Sequence, residues 1–238
     1  MKITVMATGR PPSPLDSRFG TYPDLFGQLL NGAGKGFSFN SVAVLEGEPL
    51  PRAENLDAIL ITGSPYGIYD DQPWIAPLAE FVRDAYAGEV PMVGICFGHQ
   101  IMAHALGGDV RKSEKGWGIG RHVYSIDRRP DFMADAPESL AIPASHQDQV
   151  IAPPESAEVI MHSAFTPNAG LAYRSGKAVS FQPHPEFSPD FASALHDLRH
   201  RSRVGDARVD AAIASLRAPN DSALLGSYIA RFYQAASS

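Results

Sequence analysis

Apolar residues come in short unbroken runs separated by stretches with helical spacing, and through the first half of the chain the two patterns alternate. "KITVMA" at 2–7 is a β-rich run closed by Gly9 and Pro11. "YPDLFGQLL" then carries Leu25, Phe26, Leu29 and Leu30 at helix spacing. "FSFNSVAVL" at 37–45 reads as a strand, and "DAILITG" at 57–63 is almost continuously apolar, as expected of a strand buried on both faces of a parallel sheet. The helix pattern "PWIAPLAEFVRDAYA" follows, then the strand "PMVGI", then a helix starting after Cys96. This alternation predicts an α/β fold, a mostly parallel twisted sheet with helices on both faces.

The second half changes character. "GRHVYSI", "LAIPASH", "AEVIMHS", "AGLAYR" and "AVSFQPH" are short strand patterns separated by turn residues, which predicts some antiparallel pairing. Helices return at about 188–238, the first capped by Ser188 with Pro189 in its first turn. The last begins near Asp221, with Leu224, Leu225, Tyr228, Ile229 and Phe232 on one face. The polar segment "RSRVGDARVD" between them fits a loop or a third helix. With no repeat or linker in view, residues 1–238 are expected to form a single domain, a size that supports one full core.

Charge narrows the partners. A net charge of −6 gives no general attraction to nucleic acid or to an anionic membrane surface, and neither is expected as a partner. The basic patch "HDLRHRSR" at 196–203 reads as a solvated helix face. No apolar stretch is long enough to span a membrane, and "MKITVMATG" lacks the features of a signal peptide, so a cytoplasmic location is expected. A single cysteine, which has no partner for an internal disulfide, agrees with that compartment.

That cysteine, Cys96, stands between Gly94 and Gly98 where the strand pattern stops and the helix pattern begins. G-x-C-x-G at a strand-to-helix turn leaves room for a strained elbow that exposes the side chain, and the helix amino end favours an anion there. Gln100 lies one helical turn on, where its amide could meet a substrate. A free cysteine is also a common small core residue, so a partner base is needed to argue catalysis. "FQPHPEF" supplies His184 and, two residues on, Glu186. On an extended chain both side chains start on one face, so an imidazole could take the thiol proton while a carboxylate fixes its tautomer.

Gly94-Ile95-Cys96-Phe97-Gly98-His99-Gln100 together with His184-Pro185-Glu186 resemble the two signatures of the class I glutamine amidotransferases, a Cys-His-Glu family. "ITGSPYGIYDDQPW", "KGWGIG" and "SHQDQV" stand in the matching order, and with the opening "ATGRPP…RFGTYPDLF" they are similar to the stand-alone branch. That branch is close to the GMP synthetase glutaminase domain and includes γ-glutamyl peptidases. The resemblance implies a flavodoxin-like fold and a hydrolase working through a γ-glutamyl thioester on Cys96. Backbone N–H groups of Phe97 and of Ser64, or Gly63 if the loop is shifted, would then form the oxyanion hole. It also makes Gln100, Ser145, His146 and Gln147 candidate substrate contacts. Tyr66 departs from the family pattern, standing where a glycine often helps receive the amino-acid end of glutamine.

No metal or cofactor is expected. His196 and His200 are four apart but lack the glutamate of H-E-x-x-H, so they read as a surface pair. "GWGIG" is not G-x-G-x-x-G, and His99 and His104 are expected to make structural hydrogen bonds. Trp74 and Trp117 could border the pocket or simply pack. Three functions stay open: hydrolysis of a small-molecule γ-glutamyl substrate as a complete reaction, ammonia supply to a separate synthase subunit, and a non-catalytic binding or regulatory relative.

Overall fold

The computed structural model describes residues 1–34 and 36–236. Residues 237 and 238, the end of the stretch expected to hold the terminal helices, lie outside the described residues. In chain order the first half contains β1 (Lys2–Met6), α1 (Leu15–Phe19), α2 (Tyr22–Ala33), β2 (Ser38–Val42), β3 (Ala58–Ile61), α3 (Ile75–Ala87), β4 (Met92–Ile95) and α4 (Phe97–Ala105). The second half contains β5 (Asp109–Lys112), β6 (Gly118–Ile126), β7 (Ser139–His146), β8 (Asp148–Ala152), β9 (Ala157–His162), β10 (Gly170–Tyr173) and β11 (Ala178–Phe181). It ends with α5 (Pro189–Val204), α6 (Asp206–Ser215) and α7 (Ser222–Ala236).

One nine-stranded sheet has the order β2-β1-β3-β4-β11-β10-β9-β6-β7, and β5 pairs with β8 apart from it. From β2 to β11 the neighbours are parallel; from β11 to β7 they are antiparallel. The parallel half explains the unbroken apolar runs. Val5, Leu60, Val93 and Ile95 face Phe26 and Leu30 of α2 and Ile229 of α7. Met6, Ile59, Ile61 and Met92 face the other way, onto Leu78 and Val82 of α3 and Ile101 of α4. With helices on both sides, the central strands β3 and β4 carry no polar side chain. Truncating one of these fully buried side chains to alanine costs about 2–5 kcal/mol.

Several elements differ from the sequence reading. The strand expected at 37–45 stops at Val42: Glu48 Oε2 accepts the Ala43 N–H at 2.6 Å and the chain turns into a short 3-10 helix. The run "AVSFQPH" is strand only to Phe181, because Pro183 and Pro185 have no N–H for a ladder and the His184 N–H is committed to Pro143 O at 2.9 Å. The segment 201–210 is helical, with α5 ending and α6 beginning around Gly205, whose φ of 85° breaks the helix. The expected loop at 145–148 is instead the end of β7 and the start of β8, with only Gln147 between them.

The parallel pairing that matters most is β4 with β11, where Ile95 lies opposite Phe181. The residues that follow these two strands therefore emerge side by side at the carboxyl edge of the sheet, where α/β sheets bind ligands.

Candidate active site

β4 ends at Ile95 and α4 begins at Phe97, so Cys96 alone makes the turn, with φ 54° and ψ −102°. A non-glycine residue held in such a region costs on the order of 1–3 kcal/mol and persists only where its surroundings enforce it. Here they do: the Cys96 N–H donates to Phe181 O at 2.9 Å and the Gly98 N–H to Thr62 O at 3.1 Å. A Cβ on Gly94 would lie 2.5 Å from the Gly98 carbonyl, and one on Gly98 would overlap the Ile61 carbonyl. The two glycines thus let α4 start against the sheet, with the cysteine thrown outward.

His184 and Glu186 follow β11. His184 Nδ1 lies 2.7 Å from Glu186 Oε1, both side chains being buried, and Cys96 is near enough to act on the His184 charge. The carboxylate can only accept, so Nδ1 carries a proton and Nε2 is left to meet the thiol. Burial works to lower the His184 pKa, but the Glu186 carboxylate and the adjoining Cys96 outweigh it and push it up to about 10. The Phe187 ring lies flat on the imidazole at 4.0 Å and 6°, backed by Phe191 and Tyr22.

The loop after β3 passes beside these groups. A Cβ on Gly63 would fall 3.0 Å from His184 Cε1 and 3.6 Å from Cys96 Cβ, so a side chain there would crowd the imidazole. Its carbonyl accepts from the Thr8 hydroxyl at 3.2 Å and the Thr62 hydroxyl at 3.1 Å, and Thr8 also donates to Thr62 O at 2.9 Å. The N–H groups of Ser64 and Phe97 have no hydrogen-bond partner among the described residues. Ser64 and Tyr66 border the same pocket as Cys96, Gln100, Ser145, His146 and Gln147, whereas Gly63, Phe97, His184 and Glu186 lie behind its lining.

Their roles differ in detail. Gln100 is held by the protein, its amide donating to Asp148 O at 2.9 Å and Gln182 Oε1 at 3.0 Å. His146 is buried and its pKa falls to about 3, chiefly through desolvation; Nδ1 meets Asp148 O at 3.2 Å. Tyr66 is partly exposed, its ring edge-on to Trp74, which packs on Phe97 next to Cys96; Trp117 borders the pocket itself.

His196 and His200 are not a surface pair. Both are buried beneath α5, where His196 Nε2 accepts the Gly120 N–H at 3.0 Å and His200 Nε2 meets Ser145 Oγ at 3.2 Å. Helix periodicity turns them inward against β6 and β7, which a run of charged neighbours concealed. His99 makes the expected bonds, to Ser180 Oγ at 2.8 Å and Asn168 O at 3.0 Å, whereas His104 is exposed and has no side-chain partner among the described residues. Sequence reasoning missed Thr8, Tyr69 and Lys112, and it read Arg199 and Arg203 only as solvated; the last four border the pocket. Only the 3.6-residue spacing of Arg199 and Arg203 relative to the buried histidines could have flagged them. No group of three or more potential metal ligands occurs among the described residues. No helix there is long and apolar enough to cross a membrane.

Residues 37–194 match the family model for glutamine amidotransferase class-I. A glutamine amidotransferase-like protein of Schizosaccharomyces pombe is 29% identical over 205 residues, 81% of this chain and 82% of that one. Gamma-glutamyl peptidase 2 of Arabidopsis thaliana is 30% identical over 191 residues, 77% of this chain and 75% of its own. The glutamine-hydrolyzing GMP synthase of Aquifex aeolicus is 35% identical over 135 residues, 57% of this chain but 25% of that protein. A crystal structure of a glutamine amidotransferase from Thermotoga maritima superposes with a TM-score of 0.74 over 99% of this chain and 97% of that one, at 20% identity. At that identity the superposition speaks for the fold.

Proposed function

The chain belongs to the class-I glutamine amidotransferase family, and from that premise we propose that it hydrolyses a γ-glutamyl amide bond through a thioester on Cys96. The observation that carries this reading is the imidazole of His184, held by Glu186 at 2.7 Å and close to the strained Cys96 at the start of α4. Nε2 takes the thiol proton, and Sγ attacks the γ-carbonyl to form a tetrahedral oxyanion. His184 returns the proton to the departing nitrogen as the C–N bond breaks. Water, deprotonated by the same imidazole, then cleaves the thioester, releasing glutamate and restoring the thiol.

The oxyanion needs fixed donors, and the Phe97 N–H just after the nucleophile is one. For the second we assign Ser64. Thr8 and Thr62 hold the Gly63 carbonyl from one side, and in a trans peptide the following N–H points the opposite way. Ser64 also borders the pocket, whereas Gly63 serves as the space beside the His184 ring. Glu186 keeps His184 in the productive tautomer, and Phe187 keeps its ring in plane.

The gamma-glutamyl peptidase relative favours hydrolysis as a complete reaction of a small substrate. The GMP synthase relative supports a second reading, in which ammonia passes to a separate synthase subunit. Purified protein given glutamine and a panel of γ-glutamyl amines and peptides tests both. We expect glutamate release without any partner, a glutamyl adduct on Cys96 by mass spectrometry, and loss of both in Cys96→Ala. Glutamate release by Cys96→Ala at the unmodified rate would end the proposal, and turnover only after adding a synthase would favour the second reading.

A further inference from the structure

The pocket that opens from Cys96 is lined by charges of both signs. Asp70, Asp148 and Lys112 line it together with Arg199 and Arg203 of α5, and Lys112 lies opposite Asp148 in the β5–β8 pair. The carboxylates have protein partners: Tyr69 donates to both oxygens of Asp148 at 2.9 Å, and Asp70 Oδ2 accepts the Gly67 N–H at 2.9 Å. Lys112 is close enough to Asp148 to stabilise its charge. Arg199 and Arg203, one turn apart on α5, have no carboxylate partner among the described residues. Arg201 between them shows the contrast, since it points elsewhere and is neutralised by Asp197, Asp206 and Asp210. Arg203 is also pre-oriented, its guanidinium 5.2 Å from the centre of the Trp117 ring.

The chemistry of a γ-glutamyl substrate meets this pattern with one group to spare. Its glutamyl end brings one ammonium and one carboxylate, which suit the place where Lys112 lies opposite Asp148. Glutamine then has no charge left for the two guanidiniums. A γ-glutamyl peptide does, in the carboxylate of the amino acid that leaves. The pocket borders hold three cations against two carboxylates, matching a ligand of net charge −1, although the chain as a whole carries −6. We propose that Arg199 and Arg203 form a carboxylate-receiving subsite for the leaving group, and that the preferred substrates are γ-glutamyl peptides with a free terminal carboxylate. This rests on the γ-glutamyl hydrolase reading above and deepens it. A guanidinium offers two parallel N–H donors to a carboxylate, which lysine does not, so the subsite is specific to arginine.

The test compares γ-glutamylglycine with γ-glutamylglycinamide, which differ only in that carboxylate. The intact enzyme should show at least about a tenfold higher kcat/KM for the acid, the worth of one or more hydrogen bonds to a charged group. Arg199→Gln and Arg203→Gln should each cut that ratio severalfold, with Arg203→Lys recovering only part. Arg201→Gln, on the same helix but outside the pocket, should keep the ratio. Equal kcat/KM for the two compounds in the intact enzyme, or a ratio that survives in the Arg199→Gln/Arg203→Gln double variant, overturns the subsite. Calorimetry on the folded Cys96→Ala protein reads the same preference without chemistry. Tighter binding of the acid there supports the subsite even if turnover fails, and equal affinity refutes it even if turnover succeeds.

Discussion

Thr8 lies behind the loop that follows β3 and holds its backbone. Its buried hydroxyl spans Thr62 O at 2.9 Å and Gly63 O at 3.2 Å, so it helps set which way the Gly63–Ser64 peptide faces. If that peptide supplies an oxyanion donor, Thr8→Val should lower kcat by about tenfold or more with a much smaller change in KM, because the donor acts on the transition state. Thr8→Ser, which restores the hydroxyl, should recover most of the loss; steady-state kinetics on the three proteins decides it. His184 yields a second expectation. Its folded-state pKa of about 10 lies above the ordinary 6.5. Its charged form therefore contributes stability that is complete below pH 6.5 and is lost as the pH rises through about 10. Since Glu186 is the largest of the influences raising that pKa, the stability gap between the intact protein and Glu186→Gln should be wider at pH 6 than near pH 10 in denaturant unfolding. A gap that widens with pH would mean that the imidazole is not held charged by this carboxylate.

Where β4 meets α4, backbone contact rather than side-chain chemistry dictates the sequence. Gly98→Ala would drive a methyl into the Ile61 carbonyl, rigid backbone on both sides. We expect a loss of about 3 kcal/mol or more, with activity failing because α4 must shift. Gly27 lies inside α2 with only the edge of Phe39 at 3.9 Å, so Gly27→Ala should instead stabilise by about 0.5–1 kcal/mol. Urea midpoints for the pair check both signs. The same contrast explains what could be read beforehand. Cys96 between two glycines was legible because its strain is local and needs those residue types. So were the β3 and β4 runs, since burial on both faces leaves only apolar choices. β5 and β8 were not, because four- and five-residue strands with polar positions carry too little periodicity to separate from turns. Nor was the inward face of α5. His196 and His200 are buried, yet they sit among arginines whose charged ends reach water, so composition pointed outward while helix geometry pointed in.

At the scale of the whole chain, the candidate site exists only once distant segments share a sheet. Cys96 and His184 come from different halves of the sequence and meet because β4 and β11 lie side by side, with the Cys96 N–H bonded to Phe181 O at 2.9 Å. The loop bearing Ser64 follows β3, the neighbour of β4 on the other side. Three adjacent parallel strands thus lead into Cys96, His184 and the Ser64 loop, each strand fully buried. Parallel neighbours cannot form from local hairpins, so no part of this arrangement can persist without the core. The reactivity of Cys96 toward a glutamine-derived chloroketone should therefore disappear in the same urea transition that reports global unfolding through the fluorescence of Trp74 and Trp117. A site carried by fully buried central strands should be lost together with the core that holds them. If labelling ended well below the fluorescence midpoint, the site would instead belong to a locally opening segment, and the β7–β8 junction at Gln147 or the α5 wall would be the part to test next.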